Sequence, residues 1–239
     1  MAEQCLITIA PETSNAHTLA KNCTNDHDSA LAFEFLSERN GWEQWNIQVA
    51  VNPDWSKIAA AGQSSGAHHI PRLQKYMGET HGIRMKAVLY GHGGSLDNGK
   101  QDLIKCLNNS TACDNVPAMF LTATNDGKVL PAWTLNWYQK LTGQQPGVKG
   151  VVHVKHAVYA EVPTGDHMEP VLGNGVFNDY TARFLACHLY KTGSTRSKEA
   201  CVWIYGDGTT KENPDICDSP EVGNLHLANL HLFDHGQKC

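Results

Sequence analysis

Lys57-Ile58-Ala59-Ala60-Ala61-Gly62-Gln63-Ser64-Ser65-Gly66-Ala67-His68-His69 (KIAAAGQSSGAHH) is the stretch that decides how the chain is read. Residues 57–61 are short and apolar and predict a strand. Residues 65–77 predict a helix. Ser64 therefore falls on the turn between them, inside a G-x-S-x-G pattern. At such a sharp turn the serine backbone is strained and bulky neighbours would clash, which accounts for glycine two positions away on either side, Gly62 and Gly66. Three fixed positions are a weak signal alone, so the surroundings carry the reading.

Outward from this turn, apolar runs alternate with amphipathic stretches, the pattern of an α/β architecture. Upstream, residues 5–10 (CLITIA) are β-branched and apolar and predict a buried strand. Residues 28–39 (DSALAFEFLSER) place Ala30, Leu31, Phe33 and Leu36 at helical spacing, with Asp28 as a suitable cap. Downstream, residues 85–90 (MKAVLY) and 118–123 (AMFLTA) predict strands, and 151–162 holds one more. Residues 131–141 (PAWTLNWYQKL) form a helix with proline in its first turn, and 177–190 form another. Beyond Lys191 the chain turns polar and cysteine-bearing, and is expected to be irregular and cystine-held. The division is thus a core over 1–190 and a cysteine-containing extension over 191–239.

Composition bounds the function. The chain has 239 residues, 41% hydrophobic and 18% charged, enough for one domain with a sizeable core. A formal net charge of −5 gives no basic footprint for nucleic acid, and no run approaches the length of a membrane span. Eight cysteines occur without any C-x-x-C pair, which favours disulfides and an oxidising compartment over a metal ribbon. Cys106 with Cys113 could close a small loop, and Cys201 with Cys217, or Cys187 with Cys201, could staple the tail. Sequons at Asn22, Asn108 and Asn109 point to the same compartment. The start, MAEQCLITIAPETS, lacks the basic region and long apolar run of a signal peptide. The natural precursor is therefore expected to begin further upstream.

A serine hydroxyl needs a base within hydrogen-bond reach, and the base needs an orienting acid. Two later strand ends supply them in order. AMFLTATNDGKV places Asp126 just past a strong strand, and AVYAEVPTGDHMEP places His167 in the loop after the next. Asp166 is a poorer acid, because adjacent side chains diverge. The Ser65 N–H, at a helix N-terminus, points to where an oxyanion would form. Trp133 and the pair His68-His69 could line a pocket. In the tail, His226, His231 and His235 lack the glutamate of H-E-x-x-H, and no metal is assigned.

From Leu6 to about Tyr205 the chain resembles the later part of an α/β-hydrolase, nearest to the dienelactone-hydrolase-like, chlorophyllase-like and polyester-hydrolase-like esterases. The resemblance rests on Asp54-x-x-Lys57-Ile58 before GQSSG, on TATNDGKV and on TGDH. It implies a mostly parallel sheet flanked by helices and a triad of Ser64 as nucleophile, His167 as general base and Asp126 as orienting acid. Ser65 would give one oxyanion donor. It also implies an N-terminally truncated fold, with CLITIA as the fourth strand and the first three missing, together with the loop that supplies the second oxyanion donor. The expected activity is cofactor-free cleavage of a small or polymeric carboxylic ester through an acyl-enzyme, by a secreted monomer. The competing expectation is a catalytically inactive, hydrolase-like secreted binding protein or a truncated gene product.

Overall fold

The computed structural model describes residues 25–38, 54–94, 106, 110–142, 156–162, 165–168, 176–205 and 231–232. In chain order these form α1 (Asn25–Glu38), β1 (Ala59–Gln63), α2 (Ser65–His81), β2 (Ala87–Gly91), β3 (Ala118–Ala123), α3 (Pro131–Leu141), β4 (Ala157–Val162), α4 (Val176–Leu189), α5 (Thr195–Tyr205) and β5 (His231–Leu232). The predicted strand over 5–10 lies outside the described residues, as do the asparagines of the three sequons and Cys5, Cys23, Cys217 and Cys239.

The sheet runs β1-β2-β3-β4-β5, with the first four strands parallel and β5 antiparallel to β4. Side chains alternate faces along a strand, and the sequence exploits both faces. Val88, Tyr90, Ala118, Phe120, Ala157 and Tyr159 face one way, into a core closed by α1, α2 and α3 through Phe33, Ile70, Met77, Trp137 and Tyr138. Leu89, Met119, Leu121, Val158 and Ala160 face the other way, onto Phe177, Tyr180 and Phe184 of α4 and Trp203 and Ile204 of α5. This three-layer packing explains why AVLY (87–90) and AMFLTA read as nearly continuous apolar runs: strands covered on both faces have no polar side. Every residue of β2 and β3 is buried, whereas β1 is only partly covered and, among the described residues, pairs on one side alone.

Helix α1 begins at Asn25, so Asp28 sits in its first turn rather than capping it. It lies along α2, where His81 Nε2 and Glu34 Oε1 are 3.0 Å apart and the Phe33 and His81 rings meet edge to face. Strand β1 starts two residues later than the apolar run suggests, because its pairing with β2 carries it through Gly62 and Gln63.

The extension is not irregular throughout. Residues 195–205 form α5, which buries Ser197, Ala200, Trp203 and Ile204. Their spacing of three and four is helical, but Lys198 and Glu199 mask it in a linear reading. The Cys187–Cys201 disulfide pins α5 to α4, and the Arg183 guanidinium stacks over Trp203. A second disulfide joins Cys106 and Cys113. His231 lies on strand β5; His226 and His235 are outside the described residues. Among the described residues no helix is long and apolar enough to cross a membrane.

Candidate active site

The parallel sheet brings four loops to one end. Ser64 follows β1, His92 follows β2, Asp126 follows β3 and His167 follows β4. The strand ends are stitched level by backbone bonds that continue the ladder. The Ser64 N–H donates to the Gly91 carbonyl at 2.8 Å, His92 N–H to Leu121 at 2.7 Å, and Thr124 N–H to Val162 at 2.9 Å.

Ser64 sits between strand and helix with φ 53° and ψ −117°. A non-glycine residue at this φ is strained by about 1–3 kcal/mol and persists only where its surroundings enforce it. The enforcement comes from Gly62, where a Cβ would fall 2.5 Å from the Gly66 carbonyl carbon and oxygen and 2.8 Å from the Ala67 nitrogen. Gly62 is thus required by close backbone approach. Gly66 is not, since a Cβ there would meet nothing within 4 Å; the symmetrical role expected from the sequence holds on one side only. Ser65 is exposed as the first residue of α2, and the Ser64 side chain does not cap the helix. Its N–H is therefore one of the helix-start donors that intrahelical bonding leaves over.

The three residues singled out in the sequence come together. His167 Nε2 lies 3.0 Å from Ser64 Oγ, and its Nδ1 lies 2.8 Å from Asp126 Oδ2. The other carboxylate oxygen, Oδ1, accepts the Lys128 and Val129 N–H groups, each at 2.8 Å. Asn-Asp-Gly is therefore both turn chemistry and site chemistry: the Asp126 turn orients its own carboxylate. Burial pushes the Asp126 carboxyl up, but the bonds from His167, Val129 and Lys128 outweigh it, and the group stays below the ordinary carboxylate range. Asp166 is occupied locally, accepting the Met168 N–H at 2.7 Å on the protein surface.

Two further residues belong to the site and escaped the sequence reading. Gln63, the residue just before Ser64, donates from Nε2 to the His167 carbonyl at 2.5 Å and ties the His167 segment to the end of β1. His92 Nδ1 lies 2.5 Å from the same Asp126 Oδ2 that receives His167. Its ring is fully buried and stacks on Phe177, with centroids 5.0 Å apart and planes 7° apart. Burial holds its imidazole below the ordinary value in spite of the adjoining carboxylate. The only trace in the sequence is a histidine at a strand end, in Gly91-His92-Gly93-Gly94, a position equivalent to those of Asp126 and His167.

The two remaining residues have other neighbours. The His68 ring packs on Trp137 at 5.4 Å. Trp133 is half-buried in the first turn of α3, with its peptide directly against Gly94. Ligand atoms of His92, Asp126 and His167 lie within 4.8 Å of one another, a set able to hold a metal ion. The separations of 2.5 and 2.8 Å to Oδ2 are those of shared protons; donors around a tetrahedral zinc at 2.0–2.1 Å stand about 3.3 Å apart. No family model matches the chain, and no curated protein matches it.

Proposed function

We propose that the protein is a serine hydrolase of the α/β-hydrolase type that cleaves carboxylic esters through an acyl-enzyme. One observation carries the reading: the continuous relay from Ser64 Oγ through His167 to Asp126, assembled at the ends of three of the four parallel strands. In the first half-reaction Ser64 Oγ attacks the ester carbonyl while His167 Nε2 takes its proton. The tetrahedral oxyanion lies at the start of α2, where the Ser65 N–H donates and the helix dipole favours negative charge. Collapse expels the alcohol, which receives the proton from His167. In the second half-reaction water attacks the acyl-enzyme, His167 takes its proton and returns it to Ser64 Oγ, and the acid leaves. Asp126 stays ionised throughout and stabilises the imidazolium by accepting from Nδ1.

The surface beside the relay suits an apolar acyl or polymer group. Of the three large apolar side chains that are exposed among the described residues, Met168 adjoins His167 and Leu130 lies in the loop that carries Asp126. The two disulfides fit an oxidising compartment, and we propose an extracellular or secretory setting on that ground. A fluorophosphonate probe tests the chemistry. It should label the chain once, at Ser64, and Ser64→Ala should abolish both labelling and hydrolysis of a short p-nitrophenyl ester. A folded protein that takes no label would instead favour a hydrolase-like binding protein.

A further inference from the structure

Asp126 has more donors than a triad needs, and the surplus donor is the most constrained group at the site. Its Oδ2 receives His167 at 2.8 Å and His92 at 2.5 Å, both through Nδ1, while Oδ1 receives two backbone N–H groups. All four carboxylate acceptor positions are thus filled. Of the two side-chain donors only His167 is partly exposed. The backbone donors belong to the Asp126 turn. His92 is sealed in the interior, with its N–H on the Leu121 carbonyl, its φ at 46° and its ring flat against Phe177.

The protonation state of His92 follows from its two nitrogens. Nε2 is buried without a hydrogen-bond partner among the described residues, so a proton there would be an unsatisfied buried donor. A bare lone pair is the lesser cost. Nδ1 faces a carboxylate oxygen and must carry the proton. His92 is therefore a neutral imidazole that donates to Asp126, and the titratable groups around it are Asp126, His167 and, farther off, Asp166.

We infer that His92 is a positioning residue that holds the Asp126 carboxylate in place independently of His167, leaving one acceptor site aimed at the base. Three rigid donors fix the orientation of the carboxylate before His167 engages it. His167 then has a single way to bond: Nδ1–H to Oδ2, with the Nε2 lone pair turned to Ser64. Asp126 is thereby oriented whether or not His167 is bonded to it. This inference rests on the triad reading above for its catalytic consequence, but the hydrogen bond itself can be tested without any activity.

The experiment compares His92→Phe, which keeps the ring on Phe177 and removes the donor, with His92→Asn, whose side-chain N–H stands where Nδ1 stands. With an active esterase, His92→Phe should lower kcat by about tenfold to a hundredfold, the range found for partners that orient a first-contact ligand, with KM within about twofold. His92→Asn should recover most of the loss. Equal loss in both variants, or none in His92→Phe, would overturn the inference. Nitrogen-15 NMR of the histidine-labelled parent protein serves if either variant fails to fold. It should show two strongly downfield Nδ1–H protons that disappear together in Asp126→Asn, with His92 Nε2 unprotonated. A proton on His92 Nε2, or a single downfield signal, would equally overturn it. A chain with two such protons that hydrolyses no ester and takes no fluorophosphonate would retain the His92 anchor and remove the hydrolase proposal instead.

Discussion

Asp126→Asn is the most demanding test of the site, because the carboxylate accepts four hydrogen bonds and donates none. An amide offers one acceptor atom and one donor group, so it can satisfy only half of this environment. If its oxygen faces Lys128 and Val129, its NH2 group faces both histidines. His167 must then present a bare Nδ1, carry its proton on Nε2, and donate to Ser64 where it has to accept. If the amide is flipped, its NH2 group confronts two backbone N–H groups at close range, which costs about 1–3 kcal/mol per unsatisfied buried donor. Either way catalysis suffers more than folding. The expected loss in kcat is about 10⁴-fold, or about 5.5 kcal/mol of transition-state stabilisation, with KM little changed. Melting stability should fall by about 1–3 kcal/mol. The assay is steady-state hydrolysis of a short p-nitrophenyl ester, paired with thermal melts and with the rate of fluorophosphonate labelling, which should slow in parallel. A folded Asp126→Asn protein with turnover within tenfold of the parent would refute the assignment.

Gly62→Ala and Gly66→Ala should behave oppositely although both alter the G-x-S-x-G pattern. The first forces a Cβ to 2.5 Å from the backbone and should lose stability and labelling, whereas the second meets open space and should stay folded and reactive; equal tolerance in quantitative labelling and melts would contradict the packing argument. Stability should also decline below about pH 6.5. His188 is held down to about 4 by burial and by His156, so the unfolded chain takes up a proton before the folded one does. The decline should level off near pH 4 after a loss on the order of 3 kcal/mol, His92 contributes in the same direction, and His188→Phe should flatten the curve in denaturant titrations. Asp126, whose carboxyl is lowered, contributes only below the ordinary aspartate range and so leaves this window untouched. Replacing Cys187 and Cys201 together by serine opens a loop of sequence separation 14. This should cost about 3 kcal/mol, or about 6–12 °C in Tm; an unchanged melt would mean α5 is held by packing alone.

Much of this arrangement was legible because the sequence signals were local. Strand β3 and helix α3 carry their own apolar pattern and end where the pattern ends, at Ala123 and Leu141. Ser64, Asp126 and His167 could be placed because each follows a strand, and a parallel sheet sends every such loop to the same end. His92 follows a strand too, but its place beside Asp126 exists only through the register that sets Gly91 beside Leu121, and beyond that strand-end position nothing local separates it from the other twelve histidines. Gln63 was hidden for a similar reason, since its partner is a backbone carbonyl 104 residues away. Helix α5 was obscured by charged residues on its outer face, and its fixture to α4 depends on which of several cysteine pairings the fold brings together.

The level stitching of the strand ends sets which kinds of sequence change the protein can absorb. Each site residue is positioned by how far its strand has risen when the loop begins. One residue inserted into β3 would lift Asp126 by about 3.3 Å and turn the following side chains to the opposite face of the sheet, separating it from both histidines at once. The same insertion in the connection between β2 and β3 changes no strand length, because the backbone bonds at Gly91 and Leu121 reset the height on either side of it. Lineages of this protein should therefore differ in length between the strands, beyond the few residues that follow each strand end, and almost never within them, with the four strand ends acting as a common datum for the site.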